Sequence, residues 1–348
     1  MSTVVSPAAE SYPAAPRRRR LVWVKRGLAG FVITVVTLGV LGVVYQTVAA
    51  GADARAFTPP GKFSDVGGRR IHMQVMGNDT GRPTVLLEAG IGSFSANWAW
   101  VQNSLSSVTR VVASDRAGLG WSDPDAEPQD AQQSARDLHA ALQAAGISGP
   151  YVVAGHSYGG LVVRAFADLY PQEVVGLVLV DASHPDQWAH IPASRGGTTV
   201  ALGNRVSAIL GTLGILRLFN MNAPLTAGLP DRPAAELKAF LDRPGAWQTS
   251  GGVLGIWEAR TRPAINQARN LGDRPLAVLS VTEQALYAEV LTKLQAELPA
   301  LSSNSIHLTV DGATHESLTA NREHALVVAN AIRQVLEASE SGGQLAAK

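Results

Sequence analysis

The stretch GHSYGG, residues 155–160, lies between the apolar run YVVA (151–154) and LVVRAFADLY (161–170). A strand-like segment becomes a helix-like one at this point, with a serine held among small residues. Glycines serve any tight turn, but they also let two chain segments close in around a strained residue that the turn lifts outward. Gly155 and Gly159 frame Ser157 as G-x-S-x-G, a pattern that carries chemistry when it stands between a strand and a helix. That setting is met, so Ser157 is read as a nucleophile rather than as turn filler.

Outward from this point the chain alternates. FSDVGG and RRIHMQVMG (63–77) read as a hairpin turning at Gly67-Gly68. TVLLEAG (84–90), RVVASD (110–115), YVVAG (151–155), EVVGLVLVD (173–181), PLAVLSV (275–281) and SIHLTVDG (305–312) read as strands. Helical patterns fall at 95–108, 131–146, after Ser157, near 284–298 and near 322–338. Short all-apolar strands between amphipathic helices imply an α/β fold, a mostly parallel sheet covered on both faces. Residues 183–272 break the rhythm, being rich in Gly, Pro and Ala with helical pieces such as VSAILGTLGILRLF, and read as an insertion over one end of the sheet.

A serine hydroxyl needs a base. His315, in DGATHESL, follows the last strand, and a loop at that strand's C-terminal end reaches the rim that carries Ser157. His184 also follows a strand and is the rival. His156 is expected to point away from the site; His139 and His324 lie in helices, His307 in a strand and His72 in the early hairpin. The acid that would orient the histidine is Asp181, which ends the strand GLVLVD, with Glu283 in VLSVTEQ as the alternative. Backbone N–H groups of Tyr158, next after the serine, and Ile91, in EAGIGS, are the candidate oxyanion donors.

The N-terminus follows different rules. Residues 1–26 hold six basic residues, including Arg17 to Arg20, against one acid, Glu10; the rest of the chain holds 23 basic and 27 acidic residues. The basic excess belongs to this tail, so no nucleic-acid-binding face is indicated. GLAGFVITVVTLGVLGVVYQTVAAGA, residues 27–52, has no charge and is long enough to cross a bilayer. Expected boundaries are a cytoplasmic tail over 1–26, a transmembrane helix or signal anchor over 27–50 and a linker over 51–62. The positive-inside rule puts the remainder outside the cell. VAAGADARA offers a signal-peptidase site, so a secreted form after cleavage is the alternative to an anchor. With no cysteine in 348 residues, disulfides and thiolate metal sites are excluded. No metal or nucleotide motif stands out, and no cofactor is expected.

Taken together, these residues resemble the α/β-hydrolase superfamily over roughly 62–340. EAGIGS stands where such proteins commonly have an H-G-x loop, with Ala89 in the histidine's place. SDRAGLGWSD (114–123) is similar to their D-x-x-G-x-G-x-S loop, GHSYGG to the nucleophile elbow and GATHESL to the histidine loop. The resemblance implies an eight-stranded sheet whose core runs over 63–182 and 273–340, with a helical cap inserted over 183–272. SVTEQA lacks the aspartate many members carry after the seventh strand; others place it after the sixth, where Asp181 falls. Serine at the elbow implies acyl transfer to water, as in a carboxylesterase or lipase, or amide, lactone or C–C bond hydrolysis or perhydrolysis. It speaks against the aspartate chemistry of dehalogenases and epoxide hydrolases. A non-catalytic binding protein on the same fold is the rival of another class. In the insertion, Trp188, Leu213, Leu216 and Phe219 are candidates for lining a pocket for an apolar acyl substrate; forming the cap's own core, or touching the bilayer, are the alternatives.

Overall fold

The computed structural model describes residues 17–268, 270–282 and 288–346, with Ser2 and Val4. Helix α1 (Arg17–Ala56) runs unbroken for 40 residues. Its stretch Val22–Ala56 has a mean hydropathy of 2.4 in its most apolar window, none of it buried, and is long and apolar enough to cross a membrane. The helix extends six residues into the segment expected to be linker. Residues 49–56 hold five alanines and no proline stands before Pro59-Pro60, and Gln46 and Asp53 are tied to the helices between β6 and β7, as described below.

Eight strands follow: β1 (Lys62–Val66), β2 (Arg69–Met76), β3 (Thr84–Glu88), β4 (Val111–Ser114), β5 (Tyr151–His156), β6 (Val174–Val180), β7 (Leu276–Val281) and β8 (Ser305–Val310). They form one sheet in the order β1-β2-β4-β3-β5-β6-β7-β8. The hairpin β1–β2 is antiparallel and joins β4 antiparallel; every later pairing is parallel. The hairpin turns at Gly67 and Gly68, both at positive φ, as the sequence predicts.

Side chains alternate across the sheet. Tyr151, Val153, Leu177, Leu179 and Val278 face α3 (Ala131–Ala144) and α4 (Gly159–Leu169). Val152, Ala154, Val178, Val180 and Leu279 face α2 (Ala99–Leu105) and the terminal α13 (Arg322–Ser341). Both faces are dry, so each buried Val or Leu contributes about 1.5–3 kcal/mol and the strands read as continuous apolar runs. The helix expected over 95–108 is shorter, because Ser95–Trp98 form a tight turn of their own before α2.

Between β6 and β7 the chain is helical. It comprises α5 (Gln187–His190), α6 (Gly197–Thr212), α7 (Ile215–Leu218), α8 (Asp231–Leu241), α9 (Pro244–Gly255) and α10 (Arg262–Asn266). Helices α11 (Ala288–Gln295) and α12 (Ser317–Ala320) flank β8.

Candidate active site

The turn after β5 carries Ser157 at φ 54°. A non-glycine residue there costs of order 1–3 kcal/mol and persists only where its surroundings dictate it. Ser157 N donates to the Val180 carbonyl at 3.1 Å, while its own carbonyl accepts from Gly160 N and Ser183 N, both at 3.0 Å. The two motif glycines are required by close approach: a Cβ on Gly155 would run into the Gly159 carbonyl, and one on Gly159 into the Glu88 carbonyl. Ser157 is thereby fixed at the sheet's C-terminal edge.

The loop from β8 to α12 brings His315 to the same edge. Its Nδ1–H donates to Asp181 Oδ2 at 2.5 Å, and both Ser157 and His315 line one cavity of about 240 Å³. Asp181 ends β6 at φ 40° and is 4% exposed. Its second oxygen accepts from Gln295 Nε2 of α11 at 2.8 Å, so both carboxylate oxygens have donors. Burial works to raise the Asp181 pKa, but the hydrogen bond and charge of His315, with Gln295, hold it below the ordinary carboxylate value. Burial likewise pulls His315 down, yet the hydrogen bond to Asp181 and its charge prevail and leave the imidazole above the ordinary histidine value. Glu283, the alternative acid, lies outside the described residues.

His156 does not point away from the site as expected. It lines the cavity, its Nε2–H donates to the His315 carbonyl at 2.9 Å, and the two rings lie 4.4 Å apart. Burial, then the neighbouring His315, push its pKa down to about 3. It is therefore a neutral brace for the His315 loop. His184, the rival base, faces Asp186 and Glu297 at 4.0 and 3.9 Å and does not line this cavity. The other five lie elsewhere: His72 bonds Asp115, His139 bonds Glu173, His307 bonds Ser280, His324 bonds Ser317, and His190 ends α5.

The EAGIGS loop after β3 lies against Ser157, the Gly90 Cβ position being 3.2 Å from the serine's Cβ. Among the described residues, neither Ile91 N–H nor Tyr158 N–H donates to a protein group. Arg116 sets the loop's course: its guanidinium donates to the Ala89 and Gly90 carbonyls, both at 2.6 Å, and pairs with buried Glu88 at 3.1 Å. Burial raises the Glu88 pKa against the opposing pull of Arg116 and of the Ser114 hydroxyl, which also bonds it. Next to Arg116, fully buried Asp115 accepts from Ser95 N, Trp121 N and His72 Nδ1 at 2.9–3.0 Å. SDRAGLGWSD is thus the frame that shapes the EAGIGS loop. The sequence offered Arg116 only as part of that motif, and nothing in it marked Gln295.

The cavity's upper wall is helical and mostly apolar: Val200 and Asn204 of α6, Leu237 and Leu241 of α8, and Ala246 and Trp247 of α9. None of the four cap candidates lines it. Trp188 packs edge-on against Trp257, 6.0 Å away, and borders a different cavity. Leu213 is taken by α1, Leu216 is buried and Phe219 faces outward. The reason is helical phase: α6 turns the face bearing Val200 and Asn204 to the cavity, while the end of α6 and α7 turn toward α1.

A model of the alpha/beta hydrolase fold family matches residues 83–207, from β3 into α6. The chain has the α/β-hydrolase fold. It is 35% identical over 134 residues to a protein of Hormonema carpetanum named probable transporter efuK, covering 37% of this chain and 19% of that one. To epoxide hydrolase 4 of Homo sapiens it is 31% identical over 121 residues, covering 34% and 33%. The chain thus spans a third or less of these curated relatives. Among solved structures, a thermophilic esterase from Thermogutta terrifontis matches with a TM-score of 0.58 at 20% identity, over 80% of this chain and 97% of that one.

Proposed function

We propose that this protein is a membrane-anchored serine hydrolase that cleaves an ester-type bond of a largely apolar substrate. The observation that carries the reading is the 2.5 Å bond from His315 to Asp181 beside a strained Ser157 in one cavity. With Nδ1–H committed to Asp181, the His315 Nε2 is the acceptor. It takes the Ser157 hydroxyl proton as Oγ attacks the carbonyl carbon, and the N–H groups of Ile91 and Tyr158 receive the oxyanion. The tetrahedral intermediate expels the alcohol, which takes the proton from His315 and leaves an acyl-serine. Water, deprotonated by His315, then releases the carboxylic acid and restores Ser157. Val200, Leu237, Leu241 and Trp247 around the serine favour an apolar acyl or alkyl group. Helix α1 supplies the anchor, and the basic residues of its first ten positions keep the N-terminus in the cytoplasm, with the catalytic part outside.

Mixing the detergent-solubilised full chain with a series of p-nitrophenyl esters tests this reading. An acyl-enzyme predicts a burst of about one nitrophenolate per chain followed by slower turnover, greatest for an apolar acyl chain. Absence of both burst and turnover across the series would contradict it.

A further inference from the structure

Helix α1 does not stand apart from the folded domain. A Cβ on Gly42 would collide with the Leu213 carbonyl, and Leu213 also reaches Gly39; a Cβ on Gly214, itself at φ 70°, would sit 2.8 Å from Tyr45. One turn further on, Gln46 Nε2 donates to the Asp242 carbonyl at 2.9 Å, and Gln46 Oε1 accepts from Arg217 Nε at 3.2 Å. Arg217 also pairs with Asp53 at 2.6 Å. The corner between α6 and α7 is therefore locked to the C-terminal half of α1 by close packing below and polar contacts above.

That lock fixes a depth. At about 1.5 Å per residue, roughly 20 residues cross the roughly 30 Å apolar layer. If the layer begins at Arg26, it ends near Gln46, and Gly42 lies about 24 Å along the helix, still inside it. Moving the layer toward Asp53, the next charge, only deepens Gly42. Leu213 and Gly214 then stand at hydrocarbon depth, while Arg217, Asp53 and Asp242 stand at the headgroups.

The surface around this corner is suited to that place. Outside α1 and Val4, the six most exposed large apolar side chains among the described residues are Leu202, Val206, Ile209, Leu218, Phe219 and Met221, at 48–69%. The next, Val200 and Leu225, are at 39%. All six belong to α6, α7 and the turn after them, and soluble surfaces rarely gather such groups without a partner. From the continuity of this patch with α1 we infer that the α6–α7 corner of the cap is seated in the bilayer leaflet on the catalytic side, its partner being lipid acyl chains. Helix α6 then has one face on the Ser157 cavity and the other in the membrane. The inference rests on α1 spanning the bilayer and needs no particular reaction at Ser157.

The absence of native cysteine allows a direct test. Single cysteines at Val36 in mid-α1, Ile209, Phe219 and, as control, Ser341 at the sheet's opposite end are labelled with a nitrobenzoxadiazole dye. The full chain is reconstituted in phosphatidylcholine–phosphatidylglycerol vesicles with or without doxyl-labelled lipids. The expected result is blue-shifted emission at positions 36, 209 and 219, each quenched by doxyl lipid several-fold more than position 341. Quenching at 36 alone overturns the seating of the cap while leaving the anchor intact. Blue-shifted but unquenched dye at 209 and 219 overturns it in favour of a second protein surface. No quenching at 36 removes the span itself, and the inference with it.

Discussion

In the proposed reaction His315 accepts the Ser157 proton only when neutral, and its bond to Asp181 sets when that is so. The bond to Asp181 lifts the imidazole pKa against its burial. The acylation rate is therefore expected to rise with pH through a value above the ordinary histidine pKa of about 6.5. Asp181→Asn removes the lift and leaves burial, so the rising limb should move to lower pH, while the rate falls on the order of 10⁴-fold, as for the equivalent change in other triads. Stopped-flow acylation across the neutral range measures both; a limb that stays in place would show that Asp181 does not govern His315. At this scale the meeting of Ser157, His315 and Asp181 at one sheet edge was legible in the sequence because each sits at the end of a recognisable strand. Gln295 and His156 were not. Gln295 reaches Asp181 through the docking of α11, and His156 turns inward because the His315 carbonyl is there to accept its N–H.

Among the elements, the elbow depends on β3 and β5 lying in parallel register, with Glu88 opposite Gly155. Gly159 packs on the Glu88 carbonyl, so Gly159→Ala cannot be absorbed without parting the strands or shifting α4. A loss of about 1–3 kcal/mol is expected, with loss of activity. Gly203→Ala, on the open face of α6 with nothing within 4 Å, should instead gain up to about 1 kcal/mol from helix propensity. Thermal unfolding of the two variants in detergent distinguishes them, and equal shifts would contradict the close-approach account. Strands and sheet-covering helices follow local periodicity and were readable for that reason. The break in the strand–helix rhythm after β6 was readable, but not which face of α6 meets the cavity, because both of its faces are partly apolar. Helix α1 ran past its expected end because its junction with the cap is polar and invisible to hydropathy.

For the whole molecule, the sheet edge supplies Ser157, Asp181 and His315, the helical insertion covers them, and α1 holds that insertion from the side. Helix α1 is joined to the helices between β6 and β7 rather than hung from a free linker, which leaves only residues 57–61 between α1 and β1. Everything proposed for the reaction rests on Ser157 being activated by His315 and Asp181. The most direct test is labelling of the full chain by a fluorophosphonate, which reacts with an activated serine. Wild type is compared with Ser157→Ala, His315→Ala, Asp181→Asn and Glu283→Gln. Labelling is expected of wild type and of the Glu283 variant, none without Ser157 or His315, and a strong loss in the Asp181 variant. A folded wild type that takes up no label, or labelling that survives Ser157→Ala, would contradict that activation.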